Sequence, residues 1–260
     1  MLKANRLDMI MDLLYEKRYL SVNDLMKYTQ ISKSTLRRDL FELESVGNLI
    51  RIRGGVRLPD AAARLEQSAY EAPFSVRSVA NAEEKEKIAT AALQLIQPGD
   101  TVILDSGTTT LPLGQKISRQ FHNLMVATND LHCALELASN DDLELVVIGG
   151  QLRKKHYSTY GYIADRSISE MHADMAFITG DAVDISHGLM AFSMQEVTSK
   201  RAMIQAAKES TALCDHTKFS SIAFVTVCGL AEIDRIITGK QVDPQIVDKL
   251  RKLGIEVLLV

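Results

Sequence analysis

The sequence predicts an α/β chain in two parts. A small basic module of three helices and a hairpin comes first, and a larger, doubly wound, mostly parallel α/β domain follows. Three observations lead there. Apolar residues recur at helical spacing through Leu43 and then alternate. Beyond Glu83, short apolar runs alternate with amphipathic stretches, as in a parallel sheet covered by helices. Charge is divided unevenly: residues 1–58 hold 11 Lys/Arg and 7 Asp/Glu, a net of +4, and residues 59–260 hold 19 and 26, a net of −7. A cationic module joined to an anionic domain implies that only the first meets a polyanion. The expected boundaries are 1–58, a linker over 59–82, and 83–260.

The 260 residues, 46% of them hydrophobic, can bury a sizeable core. No apolar run approaches the ~20 residues of a membrane span. The start, "MLKANRLDMIMDLLYEKR", lacks a signal-peptide core, so no membrane partner and a cytoplasmic location are expected. Cys133, Cys214 and Cys228 are odd in number, far apart and set among apolar residues. That pattern reads as buried free thiols in a reducing compartment. His122 and His132 lie near Cys133 without zinc spacing, so no metal is expected.

Leu7, Ile10, Met11 and Leu14 put an amphipathic helix over 3–17. Ser21 caps a second helix, with Asp24 three residues on and Val22, Leu25 and Met26 facing inward. Ser32 caps a third, "KSTLRRDLFELESVG", with Leu36, Leu40 and Leu43 inside and Gly47 ending it. Two helices joined by a short turn fit a helix-turn-helix. The start of such a recognition helix enters the DNA major groove. Here it offers Ser32, Lys33, Ser34 and Thr35, then Arg37 and Arg38, with Asp39 placed to hold one of those guanidiniums. "NLIRIRGGVRL" then alternates around Gly54-Gly55, a hairpin lined by Arg51, Arg53 and Arg57. A basic hairpin in this place is a wing for phosphate or the minor groove. The expected partner is double-stranded operator DNA; a solvated basic bundle is the plainer alternative.

Residues 59–82 show no sustained period and read as the linker. Then "EEKEKIATAALQLI" is a helix, "TVILD" a strand, "TTLPLGQKISRQF" a helix with Pro112 in its first turn, "LMVATN" a strand, "LHCALELAS" a helix and "LELVVIGG" a strand. "DMAFITG", "STALCD", "FVTVCG", "RIITG" and "EVLLV" are further strands, with "EVTSKRAMIQAAKE" a helix. Ligands of such sheets bind beyond the carboxyl ends of the strands. Those ends carry Asp105, Ser106, Gly107, Thr108, Thr109 and Thr110; then Thr128 and Asn129; then Gly149, Gly150, Arg153, Lys154 and Lys155; then Asp215, His216, Thr217 and Lys218. A glycine lets the backbone approach a ligand, and hydroxyls beside a helix N-terminus make an anion seat. Glu196 and Lys200, four apart on one helix face, serve the same cleft or pair with each other. Taken singly, each of these has a structural reading; their recurrence at four strand ends points to a polar, anionic ligand.

The chain resembles the DeoR family of bacterial transcriptional regulators. The likeness rests on Arg6, Ile10 and Leu14, on "SKSTLRRDL" at 32–40 and on the wing "RGGV". It continues in Asp105, Gly107, Thr108 and Thr109, in Thr128-Asn129, and in Gly149, Gly150 and Arg153. Glu196, Lys200 and Arg201, then Asp215, Thr217, Lys218 and Phe219, complete it. The family's sensor domain is similar to ribose-5-phosphate isomerase and glucosamine-6-phosphate deaminase and binds a phosphorylated sugar or related metabolite. The resemblance therefore implies that the SGTTT loop and Lys218 hold phosphate, while Asp105, Asp184 and Glu196 face sugar hydroxyls. Asp181 stands where many members have a small or neutral residue, and "DAVDI" looks like the form in members that answer to amino-sugar or hexitol phosphates.

The expected function is a ligand-gated, DNA-binding repressor of a carbohydrate-utilisation operon, without a cofactor, acting as a homodimer or homotetramer. The alternative is a sugar-phosphate isomerase or amino-sugar-phosphate deaminase with an added DNA-binding head, using Glu196 or Asp181 as base. Against it, the isomerase's "D-G-A-D" run is broken, with Ile178 at its first Asp. A head on a pure oligomerisation domain leaves the four polar strand ends unused.

Overall fold

A computed structural model describes residues 3–17, 19–45, 49–52, 54–57 and 74–260. Gly47, Arg53, Leu58 and linker residues 59–73 lie outside the described residues. The chain divides into two compact units, 1–80 and 81–260.

In the first unit, α1 (Lys3–Lys17) buries Ile10, Met11 and Leu14, as the spacing predicts. Strand β1 (Tyr19–Ser21) leads into α2 (Val22–Thr29). Ser21 caps that helix by accepting from the Asp24 amide at 3.1 Å and donating to the Asp24 carboxylate at 2.7 Å. The helix α3 (Lys33–Ser45) points Leu36, Leu40 and Leu43 into the same core, and the Ser32 hydroxyl accepts from the Thr35 amide at 3.4 Å. The hairpin forms from β2 (Ile50–Ile52) and β3 (Gly55–Arg57). Strand β1 adds a third, unpredicted strand on the far side of β3, pairing Leu20 with Val56. Three residues are too few for an alternation to be read. Within the expected linker, α4 (Phe74–Val79) is helical and packs on α1.

The second unit is built on a seven-stranded parallel sheet. Its strands are β4 (Thr101–Leu104), β5 (Met125–Thr128), β6 (Glu144–Val147), β9 (Ala173–Ile178), β12 (Ala207–Leu213), β14 (Arg235–Thr238) and β15 (Glu256–Leu259). Their order is β15-β14-β12-β9-β4-β5-β6. Alternation along the strands divides the core in two. Val102, Leu104, Val126 and Phe177 meet α5 (Ala82–Leu93), α6 (Thr110–Gln120) and α7 (Leu131–Leu137) on one face. Ile103, Ala127, Ala176 and Ile178 meet α8 (Tyr162–Ser169), α9 (Met194–Ala206) and α10 (Pro244–Lys252) on the other. Strands buried on both faces read as continuous apolar runs, which is why "TVIL" and "MAFI" stand out.

Three expectations change. "FVTVCG" yields β13 (Val225–Cys228), which joins β10 (Ala182–Asp184) and β11 (Gly188–Ala191) in a separate antiparallel sheet. An apolar run alone does not say which sheet it enters. The α9 helix ends at Ala206, and β12 starts at Ala207 inside the predicted helix. Lys208 pairs with Asp174 at 2.7 Å and Glu209 with Arg235 at 3.3 Å, so neighbouring strands hold polar residues that look helical in isolation. Finally, β7 (Gln151–Arg153) and β8 (Ser158–Tyr160) form a hairpin over a stretch with no predicted element.

Candidate functional site

At the first unit's candidate DNA surface, Ser32, Lys33, Ser34, Arg37, Arg38 and Arg51 are exposed, while Thr35 and Arg57 are half-buried. The Ser32 hydroxyl lies 2.9 Å from that of Thr35 and 3.3 Å from that of Ser34, so the three form one hydroxyl cluster where α3 begins. Asp39 departs from expectation. It is 2% exposed, on the inner side with Leu36, Leu40 and Leu43, and it takes Arg6 of α1 at 2.8 and 3.0 Å. Helical geometry turns position 39 away from Arg37 and Arg38, so Asp39 locks α3 to α1 and leaves the outer arginines to solvent.

In the second unit the strand ends carry buried charge. The Asp105 carboxylate, beyond β4, is 1% exposed. Its Oδ2 accepts from the Thr179 amide and hydroxyl, each at 2.9 Å, and pairs with the Lys200 ammonium. Lys200 also donates to the Thr179 carbonyl at 3.1 Å. Burial works against the Lys200 charge, but Asp105 and Glu196 outweigh it and hold its pKa above the ordinary lysine value. Asp105 Oδ1 is buried and has no hydrogen-bond partner among the described residues, and the same is true of Asn129 Oδ1. Beside them Arg153 pairs with Glu196, both side chains being largely buried. Arg153 of the β7–β8 hairpin thus takes Glu196 and Asp105 takes Lys200, while the Glu196 charge also favours that of Lys200.

The SGTTT loop is shaped from below. A Cβ on Gly107 would lie 2.7 Å from Thr179 Cγ2, so glycine is required there by close approach. The Gly107 amide donates to Asp130 at 3.2 Å, while Asp130 caps α7 by accepting from the His132 and Cys133 amides. Burial holds the Asp130 carboxyl above its usual range despite those donors. Thr179 donates to the Ser106 carbonyl at 2.9 Å. Thr108 and Thr109 are buried where α6 begins, and Thr109 supplies no side-chain cap; Leu111 donates to the Gly107 carbonyl at 3.1 Å and Pro112 has no N–H, so any donors for an anion come from the residues before Leu111. Two predicted hydroxyls have internal work instead. Thr110 donates to the Asp105 carbonyl at 2.7 Å, and Thr128 to the Leu104 carbonyl at 2.8 Å. Asn129 donates to the Thr159 carbonyl at 3.2 Å and so fastens the β7–β8 hairpin. Gly150 lets that hairpin close, since a Cβ would meet the Tyr160 carbonyl oxygen at 2.6 Å; Gly149 faces no such constraint.

Asp181 is 7% exposed and accepts from the Phe192 amide at 2.9 Å. Asp184 accepts from the Ser186 and His187 amides and contacts the His187 ring at 2.7 Å, which closes the β10–β11 turn. Its carboxylate is therefore tied to its own turn and not to the Asp105 cluster. Asp215 caps the short 3-10 turn His216–Ser220 that carries Lys218. Burial alone would raise the Asp215 pKa, yet Lys218, the Thr217 hydrogen bonds and Lys85 hold it below the usual carboxylate range.

Sequence reading missed Thr179, Asp130, Glu84 and Lys85. Glu84 accepts from the His216 amide at 2.7 Å and the Gly239 amide at 3.0 Å, and contacts the His216 ring at 2.6 Å. It clamps two strand-end loops. The available signal was position: Glu84 and Lys85 share the buried face of α5 with Ile88, Ala89 and Ala92. Glu84, Asp215 and His216 are also the trio among the described residues whose ligand atoms, all within 4.8 Å of one another, are close enough for a metal ion. The His216–Glu84 hydrogen bonds, and those that Asp215 accepts from Asn81 and the Thr217 amide, account for that closeness. All three cysteines are free and buried, and burial pushes the Cys214 thiol up to about 12.

A helix-turn-helix with a basic hairpin, followed by an α/β domain with buried polar and charged residues gathered at its strand ends, defines a DNA-binding regulator with a sensor domain. Residues 6–62 match the DeoR-like helix-turn-helix domain and residues 80–240 the DeoR C terminal sensor domain. The chain belongs to the DeoR family. It is 34% identical to the HTH-type transcriptional repressor GlcR of Bacillus subtilis over 260 residues, 100% of this chain and 97% of that protein. It is 29% identical to the glycerol-3-phosphate regulon repressor of Escherichia coli K12, covering 92% of this chain and 91% of that one. Among solved structures it is similar to ribose 5-phosphate isomerase A from Methanocaldococcus jannaschii, with 16% identity, a TM-score of 0.41, and 54% and 55% of the two chains covered. The curated relatives are transcriptional regulators, and this chain is a regulator and not an enzyme. No helix among the described residues is long and apolar enough to cross a membrane.

Proposed function

We propose that the chain represses a carbohydrate-utilisation operon and that a phosphorylated sugar, amino sugar or hexitol relieves the repression by binding the second unit. The observation that carries this reading is the buried Asp105–Lys200–Thr179 set, with an acceptor oxygen of Asp105 and one of Asn129 left without donors. Buried acceptors without partners cost stability, and a polyol supplies the missing donors. Gly107, Thr108 and Thr109 at the start of α6, with Lys218, seat the phosphate in this reading. Arg153, Glu196, Ser106 and Asp181 complete the site in this reading. The glycerol-3-phosphate regulon repressor, by its name, is a relative tied to a phosphorylated polyol.

On the DNA side, Ser32, Lys33, Ser34, Thr35, Arg37 and Arg38 enter the major groove, and Arg51, Arg53 and Arg57 track phosphate. A homodimer or homotetramer sets two or more such surfaces on repeated half-sites. Effector and operator then bind with reciprocal coupling. The test has two arms: thermal shift of the full chain with a panel of sugar phosphates, then operator affinity with the stabilising compound present. The expected result is one compound class that raises Tm and lowers operator affinity. A compound that stabilises the chain and leaves operator affinity unchanged would remove the gating; no stabilising compound at all would remove the effector.

A further inference from the structure

We propose that Phe41 reads a thymine in the operator through its 5-methyl group, which extends base recognition one turn beyond the residues assigned above. The inference rests on the DNA-binding reading of α3. Phe41 is 65% exposed, more than any other large apolar residue described in the first unit, Val79 being 55% and Tyr28 45% exposed, while Leu36, Leu40 and Leu43 of the same helix are buried. At about 3.6 residues per turn, Ser34, Arg37, Arg38 and Phe41 fall on one outward stripe, opposite Leu36, Leu40 and Leu43. A groove of ≈ 540 Å³ joins this stripe to the hairpin and is lined by Arg37, Arg38, Phe41, Glu42 and Arg51.

That setting selects the partner. An apolar protein surface laid on Phe41 would strip water from Arg37 and Arg38 without pairing them, and from Arg51, which meets Glu44 at 3.8 Å, a cost that burial of one ring does not offset. A duplex meets both demands, because its phosphates pair with arginine and its major groove presents thymine methyls to apolar side chains. The reach also fits. Phe41 lies eight residues beyond Lys33, about 12 Å along the helix axis. The major groove, about 12 Å wide, admits an α-helix, so a helix laid along it keeps both Lys33 and Phe41 beside base edges.

The experiment uses the full chain. Its operator is first selected from a pool of random duplexes, and each thymine in that operator is then replaced by deoxyuridine, which removes only the methyl. At one thymine per half-site, the wild-type chain is expected to lose about fourfold in affinity, the worth of one buried methyl group. Phe41→Ala is expected to bind the thymine operator as weakly as the wild type binds the uracil one, and to show no difference between the two. Phe41→Leu, which keeps an apolar tip, should retain part of the discrimination. If no thymine shows an effect that depends on Phe41, the proposal fails while the DNA-binding reading stands. An equal loss on both duplexes with an altered oligomeric state would place Phe41 in a protein interface and overturn it too. A chain that selects no duplex overturns both.

Discussion

The two units treat charge in opposite ways. In the first, Arg37, Arg38 and Arg51 face outward and stay hydrated, and the inward pair Arg6–Asp39 bolts two helices together. In the second, Asp105, Lys200, Arg153 and Asp215 are buried, and Asp105 holds Lys200, Arg153 holds Glu196, and Asp215 holds Asn81 and Thr217. Exposed cations need no fixed partner and suit a repeating polyanion whose phosphates they meet one by one. Buried charges lose hydration and persist only where geometry returns it as hydrogen bonds, so they suit one small ligand of defined shape. Substitutions should therefore act on binding without touching stability in the first set, and on both in the second.

The largest expected effect is Lys200→Met, which leaves Asp105 buried and unpaired. We expect a loss of about 3–5 kcal/mol in urea unfolding, much of it recovered when Asp105→Leu is added. Because the folded Lys200 pKa lies above the ordinary lysine value, the charge contribution is complete below about pH 10.4 and is lost only as pH rises through the folded value. The wild-type advantage over the double variant should thus be flat from neutral pH to about 9. A loss as small as that of an exposed lysine would erase the contrast between the units.

Next comes Gly107→Ala. Its Cβ would enter Thr179, so the loop must move. About 1–3 kcal/mol of stability should go, together with the thermal shift by sugar phosphate. Arg37→Ala should leave Tm within about 1 °C and weaken operator binding about tenfold; each phosphate contact removed lowers the salt-dependence slope by about 0.9. An unchanged slope would reassign Arg37 from phosphate to a base edge. The smallest effect concerns Asp215. Its folded pKa lies below the ordinary value, so its contribution is present above about pH 4 and fades as pH falls through the folded value. Lys218→Met should move the acid-unfolding midpoint slightly upward, and no shift would detach Lys218 from Asp215.

Local order was legible because burial leaves a period in the chain. Ile10 and Leu14 mark α1, Ser21 and Asp24 open α2, and "TVIL" and "MAFI" become neighbouring strands buried on both faces. The strand-end position of Asp105, Asn129, Arg153 and Asp215 followed from the same alternation. Thr110 and Thr128 show the limit: their residue type fits a ligand, yet their hydroxyls serve the carbonyls of Asp105 and Leu104. A hydroxyl's partner depends on which lone pair lies nearest, which composition does not record.

By itself, then, the sequence determined the helices, most of the strands, the division of charge and the strand ends where polar residues gather. Those properties depend on neighbours a few residues away, within one helical turn or one pleat. Only the tertiary structure decided the pairings. Arg6 finds Asp39 across 33 residues, Arg153 finds Glu196 across 43, Lys200 finds Asp105 across 95, and Glu84 finds His216 across 132. Which strands lie side by side settles those meetings, because a buried charge is satisfied by whatever the sheet order brings within hydrogen-bond reach.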